Sequence, residues 1–227
     1  MRILIIGAMP EEIEKFRQLT NANHHDTLID IKHYHGYINQ HEVIICQSGI
    51  GKVNASVTTS TMLHQYNPDL LINIGSAGGI GKSIEIADII IATELSYHDV
   101  DVTAFGYKQG QVPNMPQYYY PNNEIIQTIK NLDHTLRLKF GLILSGDSFI
   151  NSSTAIKDIH LNFPHALALD MESTSIAQVC HKFNTPFIIT RVISDHADNT
   201  SDSDFKNQLS VVSDKLATYL AEVIENF

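Results

Sequence analysis

The sequence is short of the features that mark most specialised proteins. It has two cysteines, Cys46 and Cys180, and neither belongs to a C-x-x-C pair. A structural zinc ribbon is therefore excluded, and each cysteine sits in an apolar stretch that predicts a buried, reduced thiol. Positive charge is also scarce. Fifteen Lys and Arg face 25 Asp and Glu, for a net charge of −10. Nucleic acid and anionic membrane both select a basic face, so neither is expected as a partner. No apolar run approaches 18 residues, so no spanning helix is expected. The opening MRILIIGAMPEE has a short apolar run without a small-residue cleavage site, and acids follow it at once. It reads as a buried first strand rather than a signal peptide, and a cytoplasmic protein is the expectation.

Several glycine patterns are present but incomplete. A P-loop would need G-x-x-x-x-G-K-[ST], yet Cys46 takes the first glycine position and Val53 follows Lys52. Residues 75–81, GSAGGIG, lack the G-x-G-x-x-G spacing. There is no G-x-S-x-G elbow for a serine nucleophile. These loops read as tight turns, or as bare backbone amides facing a ligand. The chain has 12 histidines. His33 and His35 could share one strand face, and His98 lies beside Asp99 and Asp101. Neither group has a third ligand at a recognisable spacing, so hydrogen-bonded or solvated histidines are expected and no metal.

What remains is an ordinary globular composition, with 43% hydrophobic residues over 227 positions. That suits one domain with its own core, spanning 1–227. Ile3–Ile6 predicts a strand covered on both faces. Pro10 with Glu11, Glu12 and Glu14 predicts a helix start. DIKHYHGYI and HEVIICQSG, joined by Asn39-Gln40, predict a hairpin. Helices are expected near 53–66, 124–131 and 172–183. Strands are expected at LLINIG, ADIIIATEL, FGLILSGD, HALALDME and PFIITRVISD, with a loop at 76–81. Leu209, Val212, Leu216, Leu220, Val223 and Ile224 share one face of a last helix, with Asp202 or Ser203 as N-cap. Residues 99–123 are Gly-, Pro-, Tyr- and Asn-rich with little periodicity, which marks a functional or interface loop. The elements predict a single α/β domain with a mixed sheet between helices.

Three acids stand at predicted strand ends: Glu12, Glu172 and Asp195. Singly, each reads as a first-turn or turn acid. Together, if their strands are parallel neighbours, they converge and suggest acid–base chemistry.

Six blocks, GAMPEE at 7–12, SGIGKVNA at 48–55, NIGSAGG at 73–79, SGDSFI at 145–150, DMES at 170–173 and RVISDHAD at 191–198, run in order from end to end. In these the chain resembles the 5′-methylthioadenosine/S-adenosylhomocysteine nucleosidase family. The resemblance implies a three-layer α/β/α sandwich around a central mixed sheet, as in nucleoside phosphorylases. It also implies a homodimer and no cofactor. The implied reaction is hydrolysis of the N-glycosidic bond of 5′-thio-substituted adenosines, with 5′-deoxyadenosine as a further substrate, releasing adenine in methionine salvage and methyl-cycle by-product removal.

By the same resemblance Glu12 activates water, Asp195 protonates the purine N7, and Glu172 holds the ribose hydroxyls. C–N cleavage leaves an oxocarbenium-like sugar, which flanking carboxylates favour. Asp195 must carry a proton to serve as acid, which asks for a desolvated pocket. Phe149 and Ile150 would hold the adenine. Ser76 and Arg191 would stand near the water, with Ala77 and Gly78 in the same block. Met9, Ile50, Met171 and Phe205 would line the sugar and the alkylthio group. Val102, Phe105 and Pro113 would come from the partner subunit. The placement of Phe205 makes 204–227 a candidate lid hinged near 198–203. The alternatives are a purine nucleoside phosphorylase on the same fold and a non-catalytic nucleoside-binding protein.

Overall fold

The computed structural model describes residues 1–132, 136–197 and 201–227, the side chains of 201–212 excepted. In chain order the elements are β1 (Arg2–Gly7), α1 (Pro10–Leu19), β2 (His25–Leu28), β3 (Ile31–Ile38), β4 (His41–Gln47), α2 (Lys52–Tyr66), β5 (Leu70–Asn73) and β6 (Ser76–Gly79). After them come β7 (Ile89–Tyr97), a 3₁₀ turn at Thr103–Phe105, α3 (Asn123–Asn131), β8 (Leu138–Ser145), α4 (Ser153–Asn162), β9 (Ala166–Asp170), α5 (Ser173–Phe183), β10 (Phe187–Asp195) and α6 (Ser201–Glu225). The strands form one mixed sheet in the order β2-β3-β4-β1-β5-β10-β6-β9-β8-β7.

Alternation along the central strands sorts their side chains onto two faces. Ile3, Ile5, Leu70, Ile72 and Ile188 pack with Ile13 and Phe16 of α1, Ile126 and Ile129 of α3, and Leu216, Leu220 and Val223 of α6. Leu4, Ile6, Leu71, Ile189 and Ile193 pack instead with Met62 and Leu63 of α2 and Ile176, Ala177 and Cys180 of α5. The chain is thus a three-layer α/β/α sandwich with the mixed sheet in the middle. Each fully buried Ile or Leu contributes about 1.5–3 kcal/mol relative to exposure, so both helix layers are held by the central strands.

Strand β10 is the organising element, and all nine of its residues are buried. Its first half, Phe187–Ile189, runs parallel to β5. Its second half pairs with β6 on one side and with β7, antiparallel, on the other. Since β7–β8 and β8–β9 are parallel pairs and β9 returns to β6, these five strands close a ring.

The ring corrects two expectations. Residues 76–79 form a strand, not a loop, because glycines let it run close to its neighbours; a Cβ on Gly79 would come within 2.8 Å of Ile84 Cγ2 and 3.0 Å of Ile193 Cγ2. The strands bearing the three acids are also not parallel neighbours. β5 separates β1 from β10, and β6 separates β10 from β9. The acids meet because the ring curls around Gly78, which pairs with Asp195 on one side and Leu169 on the other. Two elements, β2 and α4, carry no expectation from the sequence. In the 99–123 loop, Tyr119 is buried and bridges Leu95, whereas Tyr120 is exposed. The N-cap side chains Asp202 and Ser203, residues 198–200 of the hinge and the side chain of Phe205 lie outside what the structure describes. Among the described residues no helix is long and apolar enough to cross a membrane.

Candidate active site

Glu12 lies in the first turn of α1, after Pro10, and is 3% exposed. Its Oε2 accepts from the amides of Ala8 at 2.7 Å and Met9 at 3.1 Å. Its Oε1 accepts from the Ser76 amide at 2.9 Å and the Ser76 hydroxyl at 3.1 Å. Glu12 therefore does close its own helix start, and it also spans to the beginning of β6. Gly75 makes room for this, since a Cβ there would lie 2.9 Å from Glu12 Oε1 and 3.4 Å from Arg191 Cζ. Burial holds the Glu12 carboxyl above the usual carboxylate range, against the pull of Arg191 and the amide donors.

Asp195 ends β10 and is 2% exposed. Its Oδ1 accepts from the Ala197 amide at 2.8 Å and its Oδ2 from the Ser194 hydroxyl at 2.9 Å. Glu172 is the N-cap position of α5 but makes no cap hydrogen bond there. Its Oε1 instead accepts from the Gly51 amide at 2.8 Å, so its carboxylate is turned away from its own helix. Burial, then the neighbouring Asp170, push Glu172 up to about 7.

A cavity of about 260 Å³ joins these three acids. Met9, Ile50, Ser76, Ala77, Gly78, Phe149 and Met171 share its lining, as do Ala8, Leu169, Asp170 and Ser194, which the sequence analysis did not single out. A smaller recess continues past Gly78, Phe149 and Met171 to Ile150 and Ala197. The lining thus brings an aromatic ring and two methionines together with the acids. Ile50 and Phe149 are half-exposed at the mouth. Val102, Phe105 and Pro113 are absent from the lining, and Phe105 is 82% exposed.

Arg191 lies behind the cavity rather than in its wall, and is 1% exposed. Its Nε donates to Asp170 Oδ2 at 2.8 Å, and its other nitrogens to Asn73 Oδ1 and the Thr190 carbonyl. Asp170 also accepts from the hydroxyls of Ser145 and Ser173. The Arg191 charge draws both Glu12 and Glu172 down, while its partner Asp170 has the larger influence on Glu172 and pushes that acid up. Asp170 was readable as the acid that ends the apolar run ALALD, but Glu172 beside it drew the attention. Among the described residues no Lys or Arg lines the cavity. The second histidine group is a loop fastening: Asp99 accepts from Lys52 Nζ at 2.7 Å and from the Asp147 amide at 2.9 Å.

The raised Glu172 has a consequence for stability. A free glutamic acid ionises near 4.5, and this one near 7. Between those values the unfolded chain releases its proton first, so stability falls as pH rises and levels off above about 7. Glu172→Gln keeps an acceptor for Gly51 and removes the charge. It is expected to be more stable than the parent at about pH 8, by up to about 3 kcal/mol, and equal to it near pH 4. Urea unfolding at both pH values checks this.

A pocket of carboxylates around the strand ends of a ring-closed mixed sheet, between two helix layers, defines the nucleoside phosphorylase class of α/β proteins. The model described as Phosphorylase superfamily matches residues 2–225. The chain is 39% identical over 224 residues to a 5′-methylthioadenosine/S-adenosylhomocysteine nucleosidase of Staphylococcus carnosus, covering 98% of each chain. It is 41% identical over 228 residues to the same enzyme of Buchnera aphidicola, covering 100% of this chain and 98% of that one. The Neisseria meningitidis nucleosidase, solved with methylthio-immucillin-A, superposes with a TM-score of 0.96 at 38% identity, covering 100% and 99%. The chain belongs to the 5′-methylthioadenosine/S-adenosylhomocysteine nucleosidase family.

Proposed function

We propose that this protein hydrolyses the N-glycosidic bond of 5′-methylthioadenosine and S-adenosylhomocysteine, and of 5′-deoxyadenosine, releasing adenine. The observation that carries the reading is the placement of buried Glu12, Glu172 and Asp195 around one cavity that, among the described residues, no Lys or Arg lines. In the reaction Asp195 gives a proton to N7, so adenine leaves neutral. Glu172 accepts from the ribose hydroxyls and favours the positive sugar. Glu12 takes a proton from water. Of its four donors only the Ser76 hydroxyl can rotate, so water reaches Oε1 where Ser76 Oγ now sits. Arg191 acts through Asp170 and Glu12 as a positioning residue. Met9 and Met171 give a thioether a soft, adaptable wall, and Phe149 and Ile150 take the base. The need is for bound water and three acids, with no cofactor.

A phosphorylase would bring a phosphate dianion to this cavity, which needs Arg or Lys clamps or free helix amides. The amides of Ala8 and Met9, which lead into α1, are taken by Glu12. Purified protein is therefore expected to release adenine from methylthioadenosine at one rate with and without phosphate. Strict phosphate dependence overturns the hydrolase reading. A binding protein without catalysis would release no adenine at all.

The same reading includes a homodimer that completes the pocket mouth, supported by exposed Phe105 and by exposed Val53 and Val57 on α2, which begins two residues after the rim residue Ile50. Phe105→Glu is expected to shift the sedimenting species to the monomer and raise KM. A dimer with unchanged KM contradicts that role. We place the enzyme in the cytoplasm, in methionine salvage and methyl-cycle by-product removal; the two buried free cysteines, Cys46 and Cys180, suit a reducing compartment.

A further inference from the structure

On the far edge of the sheet, His33 and His35 stand two residues apart on one face of β3. The sequence offers them no third ligand. The pairing of β2 with β3 supplies one, because Asp26 lies directly across from His33. The ligand atoms of Asp26, His33 and His35 all fall within 4.8 Å of one another. His33 is 1% exposed, and its Nδ1 stands 3.2 Å from the Ile31 carbonyl. With the proton on Nδ1, that contact fixes the tautomer and leaves the Nε2 lone pair pointing into the cluster, as an outer partner does for metal-binding histidines. His35 Nε2 lies 3.8 Å from Asp26 Oδ2. Two donors around zinc stand about 3.3 Å apart in a tetrahedral site. Asp26 is largely exposed, so its side chain can close that gap.

We propose that Asp26, His33 and His35 bind a borderline divalent cation of the zinc type. Two imidazoles and one carboxylate form a donor set that suits zinc and disfavours calcium or magnesium, which take oxygen. Tyr66 Oη now sits 2.5 Å from His33 Nε2 and 3.4 Å from His35 Nε2. Binding exchanges the Tyr66–His33 hydrogen bond for a metal–nitrogen bond. The ion joins β2, the exposed edge strand, to its neighbour β3, and so strengthens an edge that has three exposed residues out of four. This role is independent of the hydrolytic site, since none of the three ligands lines that cavity.

The test is a zinc titration of the full-length protein after chelator treatment, read by competition with a chromophoric chelator and by thermal unfolding. One equivalent is expected to bind, and the melting temperature is expected to rise by about 5–10 °C at a hundredfold excess over Kd. Asp26→Asn and His35→Ala leave buried His33 in place, so the fold is kept. Each is expected to weaken zinc binding at least tenfold and to leave adenine release unchanged without zinc. Absence of saturable binding overturns the proposal. So does binding with the same affinity in both variants, because the ion then sits elsewhere.

Discussion

Asp195→Asn is expected to lower adenine release by about 10²–10⁴-fold, the usual worth of a positioned acid. Asparagine is nearly isosteric. Its carbonyl oxygen can still accept from the Ala197 amide, and its NH₂ can donate to the rotatable Ser194 hydroxyl. Packing and pocket shape survive, while the transferable proton does not. The loss should therefore fall on kcat, with an adenosine-analogue inhibitor binding within a few-fold of the parent. Asp195→Ala is the contrasting variant. It strands the Ala197 amide and the Ser194 hydroxyl in a buried setting, costing about 1–3 kcal/mol of stability as well as activity. If the asparagine variant turns over normally, Asp195 is not the acid. If it loses inhibitor binding and stability together, its role is structural.

How much of this was readable in advance depends on the range of the interactions involved. The aliphatic run Ile3–Ile6 and the largely apolar stretch Phe187–Ile193 predict buried strands because a strand covered on both faces needs no alternation. Glu12, Glu172 and Asp195 could be named because each follows such a run. Their meeting was another matter. From the sequence their meeting is conditional on parallel neighbouring strands; in the fold the acids come together through a ring closed by β6, a strand of Ser, Ala and two glycines with no propensity signal. α4 was missed for a related reason: only Ile159 is buried in it, so it shows little apolar periodicity. The Asp26–His33–His35 cluster was invisible because its third member comes from β2, a four-residue edge strand of mostly exposed residues. The resemblance puts Arg191 near the water; the structure sets it outside the cavity lining, with a buried partner in Asp170 that no spacing in the sequence announces.

Glu12→Gln is expected to have an effect as large, about 10²–10⁴-fold on kcat/KM, and its test can separate base chemistry from scaffolding. The carboxylate accepts from three backbone amides and one hydroxyl. An amide side chain must turn its NH₂ toward one group of donors. Facing Ser76 is the better choice, because there the hydroxyl can accept, though the Ser76 amide is left unpaired. The fold should hold, since the same change removes a charge whose burial is unfavourable. Ser76→Ala is the companion variant. It removes the hydroxyl and keeps the amide, so Glu12 stays in place and remains basic; its loss should be tenfold or less. The pH profile adds the sign. A base works while ionised, so parent activity falls as pH drops through the ionisation of Glu12, which burial places above the ordinary carboxylate range. The glutamine variant should lose that part of the acid limb and keep the part set by Glu172 near 7. If Ser76→Ala instead costs as much as Glu12→Gln, the serine hydroxyl is what holds the water, and Glu12 serves mainly to orient it.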